Sequence, residues 1–305
     1  MHTIRYISNE AIDKAKWDAC IERSTNGLIY AYSWYLGHMS KHWDALVLND
    51  YEAVMPLTWN KKMGIRYLYQ PHFCASLGIF STIALNGSVV EEFLNGIPDR
   101  FRFIEIHLNH NNFYQVPGFP FSTKMNYTLD LSKTYASIYE SYRTNLKRNI
   151  KKALDYNLIC SSNVTIDEII ELASPTLMRN SNLQMTDWHN FKEVLETAAK
   201  KGILELLAVR STRNELLASA VFLFSNQRWY YILVGNHPNG KTLGASHYLI
   251  DQFIQQHAGE DCLLDFEGSD VRNLAFFYSS YGAKEETYPA LRINRLPLFL
   301  KWLKK

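Results

Sequence analysis

The residues with most chemical potential in this chain fall between Val234 and Tyr278. Val234-Gly235-Asn236 closes a strand-like run, and Gly240-Lys241-Thr242-Leu243-Gly244-Ala245-Ser246 follows, opening a helix near its end. A strand feeding a glycine-bearing loop that starts a helix aims backbone N–H groups at an anion. A pyrophosphate or another phosphorylated carrier suits such a cradle; a surface loop capped by Ser246 is the plainer reading. Asp265 and Glu267 alternate at the end of a second strand-like run, Cys262–Phe266, so they face opposite sides of it. A carboxylate at such an end, beside a cleft, can take a raised pKa and serve as general base. Glu267 lies nearest the expected cleft and is the base candidate, whereas Asp265 reads as structural, binding nearby backbone N–H groups. Tyr278 stands on an aromatic helix with Phe277 and Tyr281, where a phenol either packs with a satisfied hydroxyl or meets a ligand.

Other chemistries find little support. His38 and His42 have helical spacing but no third ligand nearby in sequence, so no metal is expected. Cys20, Cys74, Cys160 and Cys262 show no ligand spacing, and three of them sit in apolar surroundings and read as buried thiols. There is no nucleophile elbow, phosphate-binding Walker loop or dinucleotide fingerprint.

The elements that must position these residues are legible as patterns. Leu204–Val209 and Leu216–Phe224 read as a hairpin, with Trp229–Val234 as a third strand. Lys133–Tyr156 reads as one helix, because Ile138, Tyr142, Leu146, Ile150 and Ala153 recur at spacings of three and four. Its basic residues, Arg143, Lys147, Arg148, Lys151 and Lys152, fall off that stripe, and no acid lies between Ser141 and Leu154. A second basic run, Arg292 to Lys305, also lacks acids, so a net charge of +2 hides an acidic remainder. Such segments suit phosphates, tRNA or an anionic membrane surface, or are simply solvated faces. Ile166–Leu183 and Trp188–Lys200 read as helices, the second capped by Asp187. Upstream, Ile12–Cys20 and Tyr32–Ser40 read as helices, and Ala45–Leu48 and Tyr51–Leu57 as strands joined by an Asn49-Asp50 turn.

Length and composition bound the rest. A chain of 305 residues with 47% hydrophobic and 20% charged residues has room for two well-cored domains. Pro117-Gly118-Phe119-Pro120 marks a connection near a domain edge. No apolar run is long enough to span a bilayer, and Asn9, Glu10 and Asp13 leave no signal-peptide core, so a cytoplasmic location is expected.

Three segments resemble the GNAT superfamily, and within it the tandem-domain branch of the FemAB peptidyltransferases, which depend on aminoacyl-tRNA. Asn145–Ala153 is similar to the basic helix before that branch's second domain. Asp265-Phe266-Glu267-Gly268-Ser269 resembles its Asp-Phe-x-Gly strand end, and Phe277–Ala283 resembles the terminal helix that closes on a glycine. The likeness covers residues 126–290 well and residues 1–125 faintly. It implies an α/β fold with a mixed sheet, as two GNAT-like domains in tandem: a degenerate one over 1–125, and an acyltransferase domain over 126–305 whose tail returns to the first.

By the same resemblance, Val234, Gly235 and Asn236 would hold the acyl donor, and Lys241, Gly244, Ala245 and Ser246 the pyrophosphate of coenzyme A. Lysine here replaces the family's usual arginine, and serine its final small residue. Tyr278, four residues before Gly282, falls where these enzymes place the tyrosine that protonates the leaving thiolate. The expected reaction is acyl transfer from acyl-CoA to an amine, on a small molecule or cell-wall precursor bound between the domains. A tRNA-borne donor is the alternative, with Arg143, Lys147, Arg148 and Lys151 on its phosphates. Two others stay open: a binding module without chemistry, and a tail, Leu296–Lys305, that either docks on the protein or seeks an anionic surface.

Overall fold

The computed structural model describes residues 3–268 and 270–297. It resolves into two compact units: the described residues up to Lys124 together with those from Thr287 onward, and Met125–Glu286. Ser269 and most of the basic tail lie outside the described residues; of that tail Leu296 is buried. No helix among the described residues is long and apolar enough to cross a membrane.

In the first unit the chain runs β1 (Ile4–Ile7), α1 (Lys14–Arg23), α2 (Ser33–Met39), β2 (His42–Leu48), β3 (Ala53–Lys62), β4 (Ile65–Tyr69), β5 (Phe80–Ser81), α3 (Gly87–Asn95) and β6 (Phe101–His107). β1, β2, β3 and β4 pair antiparallel in sequence, and β4 then lies parallel to β6. The hairpin between β2 and β3 is wider than an Asn49-Asp50 turn. Leu48 pairs with Ala53, because Asn49 and Tyr51 both take positive φ (51° and 63°). Asp13 starts α1 by accepting from the N–H groups of Ala15 and Lys16, each at 3.1 Å. Val89, Val90, Phe93 and Leu94 of α3 pack with Leu46, Met55, Leu57 and Ile104 of the strands.

The second unit contains β7 (Phe121–Asp130) from Met125 onward, α4 (Tyr135–Glu140), α5 (Thr144–Asp155), β8 (Ile159–Ser161), α6 (Ile166–Asn180), α7 (Met185–Lys200), β9 (Leu204–Arg210), β10 (Leu216–Ser225), β11 (Arg228–Asn236), α8 (Pro238–Leu243), α9 (Ala245–His257), β12 (Leu263–Asp265) and α10 (Arg272–Ser279). Its strands lie in the order β7-β12-β11-β10-β9-β8, with β11 and β12 parallel and the other neighbours antiparallel. On β10, Phe222 stacks on Phe253 of α9 at 3.7 Å, and Trp229 of β11 meets the same ring edge-on.

The single helix expected over Lys133–Tyr156 is two. Ser141 turns its hydroxyl back to the Ile138 carbonyl at 2.6 Å, and the Arg143 N–H leaves the helix for the Ser280 carbonyl. The apolar stripe survives the break: Ile138, Tyr142, Leu146, Ile150 and Ala153 are all buried in one core. Asp187 also differs from expectation. The helix starts earlier, at Met185, and Asp187 closes a capping box by accepting from the Gln184 N–H at 2.7 Å.

At the end of α9, His257 lies between Glu205 (Nε2–Oε2 2.9 Å) and Glu260 (Nδ1–Oε1 3.0 Å). Burial lowers its pKa, but the hydrogen bonds and charge of Glu205, then Glu260, outweigh this and leave it raised. A histidine with a raised folded pKa adds stability that is full below its unfolded value, about 6.5, and is lost as pH climbs through the folded value. Chemical denaturation should therefore show stability declining from about pH 6.5 upward, and His257→Gln should flatten that decline. An unchanged slope in the variant would remove His257 as its source.

The last described strand, β13 (Lys284–Asn294), carries the chain back to the first unit, where Ala290–Asn294 pair antiparallel with β6.

Candidate active site

The site is built where β11 leaves β12. The two strands pair at Arg228–Leu263, Trp229–Leu264 and Tyr230–Asp265, and no further. On its other edge β11 stays paired with β10 as far as Asn236. Between Leu233 and Tyr231 the register slips by one residue, leaving Ile232 as a bulge. A bulge bends its strand and strengthens the local twist. Here it falls just past the last β12 pair, so the edge from Tyr231 to Asn236 is open along its length.

A cavity of about 260 Å³ fills that opening. Tyr231, Val234 and Asn236 of β11 line it, with Lys241, Ser246 and His247 from the following helices and Asn273, Leu274, Phe277 and Tyr278 from α10. Five sequence candidates (Val234, Asn236, Lys241, Ser246 and Tyr278) thus meet in one place. Asn236 and Ser246 join directly through a short hydrogen bond from the serine hydroxyl, which ties the strand end to the first turn of α9. The segment read as a loop is itself helical in part: Pro238 begins α8, and His237 caps it by accepting from the Asn239 N–H at 3.3 Å.

Gly235, Gly244 and Ala245 are buried and act by their size. A Cβ on Gly235 would lie 2.7 Å from Ser219 Oγ and 2.9 Å from Leu172. Gly244 takes φ +76° between α8 and α9, and a Cβ there would lie 2.4 Å from the Asn149 carbonyl oxygen. Left-handed backbone costs a non-glycine residue about 1–2 kcal/mol. Gly244→Ala should cost that and the backbone collision together. Gly202→Ala, at φ +69° with nothing within 4 Å, should cost the conformational part alone. Equal shifts in urea midpoint for the two would contradict the close approach of α5.

Tyr278 is buried, with Phe266 stacked on it at 4.8 Å. Its hydroxyl makes no hydrogen bond to any described residue. Burial, then the charges of Glu267 and Asp265, hold the phenol protonated well above its ordinary range. Glu267 does not line the cavity. It follows β12 in a left-handed conformation, φ +66°, and its N–H donates to Asp265 Oδ1 at 2.8 Å. Asp265 itself is engaged by Arg228, whose Nη1 lies 2.6 Å from Oδ2, with both side chains buried. The same guanidinium forks onto Glu286 at 2.9 and 3.0 Å.

Arg143, Lys147, Arg148 and Lys151 are at the start of α5 or on it, not at the cavity lining. Arg143 stacks over Phe276 at 4.8 Å, and Lys147 over Tyr139 at 5.0 Å. None of the four makes an ion pair with a described residue. Sequence reasoning missed Arg228, Tyr231 and His247. Only His247 left a signal, as the next residue after the helix-opening Gly244-Ala245-Ser246. Burial pushes the thiols of Cys160 and Cys262 up to about 12 and that of Cys20 to about 11, which makes them poor nucleophiles. No three His, Cys, Asp or Glu among the described residues are grouped to hold a metal.

Residues 140–271 match a family model described as an acetyltransferase (GNAT) domain. Among solved structures the chain is similar to FemX, with TM-score 0.68 and 12% identity over 99% of this chain and 100% of that one. It is similar to L-PGS from Bacillus licheniformis, with TM-score 0.58 and 11% identity over 95% of each chain. A conserved protein of unknown function from Bacteroides thetaiotaomicron shows TM-score 0.55 and 13% identity over 95% and 99%. No curated protein matches the sequence significantly. The fold is therefore the mixed α/β architecture of FemX-type proteins, and the second unit carries a GNAT acyltransferase domain.

Proposed function

We propose, for a chain whose residues 140–271 form a GNAT acyltransferase domain, that it moves an acyl group from acyl-CoA to an amine. The acceptor would be a small molecule or a cell-wall precursor. The observation that carries this reading is the open edge of β11 from Tyr231 to Asn236, facing a cavity that Tyr278 also lines. An extended thioester arm can lie along such an edge and hydrogen-bond the unpaired backbone. Lys241, exposed at the cavity rim, and the uncapped first turn of α9 suit the phosphates of the carrier. The amine nitrogen would attack the acyl carbonyl carbon, and the C–S bond would break. Tyr278 would hand its proton to the departing thiolate, and the proton shed by the amine would pass to a base; Glu267, outside the cavity lining, could take it only through an intervening water.

A second reading, an aminoacyl ester on tRNA as donor, is favoured by two observations. The α5 cations make no ion pair with a carboxylate among the described residues, which leaves their charge available to a phosphate backbone. The raised Tyr278 phenol is also better matched to an alkoxide leaving group than to a thiolate.

A thermal-shift titration with acetyl-CoA, free coenzyme A, aminoacylated tRNA and uncharged tRNA separates the readings. A ligand at 100 times its Kd should add about 2.7 kcal/mol of stability. A saturable rise with the coenzyme supports the first reading, and a rise with tRNA alone replaces it with the second. Silence with all four leaves a binding module on the same fold.

A further inference from the structure

We propose that His247 presents a fixed Nδ1–H donor to an acceptor-only oxygen of the molecule in the cavity, with Asn149 as the positioning residue that sets the imidazole's tautomer. The proposal rests on the cavity being the donor site.

His247 lies in the first turn of α9, three residues past Gly244, and lines the cavity beside Asn236, Ser246 and Tyr278. Its ring meets Phe277 edge-on at 4.8 Å. Burial pushes its pKa down to about 4, so the ring is neutral in ordinary buffers and has one donor nitrogen and one acceptor. Asn149, on the basic helix α5, brings its side-chain amide nitrogen to 3.4 Å from His247 Nε2. With the amide nitrogen turned to the ring, Nε2 accepts and the proton sits on Nδ1. Nδ1 has no acceptor among the described residues, and it is not one of the sealed, unpartnered polar atoms of the protein. It is a donor left open on a ring that faces the cavity.

A neutral donor held rigidly by its other nitrogen selects an oxygen with lone pairs and no proton. Two such oxygens belong to an acyl donor: the carbonyl oxygen of the acyl group, where negative charge develops during transfer, and a phosphoryl oxygen of the carrier. The charge of Lys241 and the donor of His247 would then do different work. The lysine attracts an anion from a distance, and the imidazole fixes where one oxygen sits.

Long-range 1H–15N correlation spectra of the full chain, labelled at histidine, read the tautomer directly at pH 7. A protonated Nδ1 with a bare Nε2 is expected, and Asn149→Leu should lose that preference. Dissociation constants of His247→Asn and His247→Gln for acetyl-CoA, free coenzyme A, aminoacylated tRNA and uncharged tRNA give the second readout. Asparagine places an amide near the Nδ1 position and glutamine near Nε2. His247→Asn should keep most of the affinity, and His247→Gln should lose about tenfold, the size of one net hydrogen bond. A loss confined to the acylated probes assigns the carbonyl oxygen, and a loss shared with the bare carrier assigns a phosphoryl oxygen. An Nε2–H spectrum in the unaltered protein, or His247→Gln binding as tightly as the parent, overturns the proposal. A parent protein that binds none of the four probes refutes the donor reading and with it the ligand assignment, whereas the spectrum judges the Asn149 contact independently.

Discussion

Replacing Arg228 by methionine should cost about 3–5 kcal/mol of stability, the largest loss expected from any one side chain around the site. Arg228 and Asp265 are both buried, 2.6 Å apart. Asp265 spends its other oxygen on the Glu267 N–H. Burial opposes the guanidinium's charge, but Asp265 first, then Glu286, hold it charged. Remove the cation, and a carboxylate with 4% exposure is left without its counter-charge. A buried pair replaced as a whole behaves differently, because neither charge then has to be desolvated. The double variant Arg228→Met with Asp265→Leu should therefore recover part of the loss, Glu286 still being left without its guanidinium partner. Urea denaturation measures both. A double variant no more stable than the single one would show that the pair is not what holds the end of β12.

Tyr278→Phe should lower kcat by on the order of 10²–10⁴-fold, the usual contribution of a positioned proton donor. Stability should barely move, because the hydroxyl has no partner among the described residues and nothing is orphaned by its loss. Donor affinity should hold as well, since the ring that lines the cavity and stacks on Phe266 stays in place. The raised phenol pKa fixes the sign of the pH dependence. A proton donor shifted upward stays protonated through pH 10, so Tyr278 contributes no alkaline fall in kcat below that value. Steady-state kinetics of the two forms, with Kd measured separately, decide the matter. An unchanged kcat would reduce Tyr278 to a wall of the cavity.

Much of this site could be read from residue order, because glycine, strand and helix punctuation are local. Gly244 at the opening of a helix and Asn236 at a strand end were legible, and they lie where such signals place them; the short helix before Gly244 was not. The apolar stripe through Ile138, Tyr142, Leu146 and Ile150 was also legible, since burial depends on periodicity. The break at Ser141 was not, because its causes lie far along the chain, in the Ser280 carbonyl and in Gly282, whose Cβ would come 2.2 Å from Ser141 Oγ. The bulge at Ile232 left no mark, for an isoleucine suits a regular strand as well. Arg228 was hidden for a similar reason: as the first residue of β11 after a turn it reads as solvent-exposed, and only its two distant carboxylates draw it inward.

The return of β13 has a consequence for the order in which the chain is made. β6 has β4 on one edge and residues 290–294 on the other, so the first unit is discontinuous while Met125–Glu286 is contiguous. On the ribosome the segment begun last can finish first. The middle of the chain has all its described strands by Glu286, while β6 waits with an unpaired edge until β13 emerges. An exposed strand edge is a template for wrong pairing. Chains arrested before residue 290 should therefore be the aggregation-prone ones in pulse-labelled synthesis, and emergence of β13 the step that makes the amino-terminal unit resistant to protease.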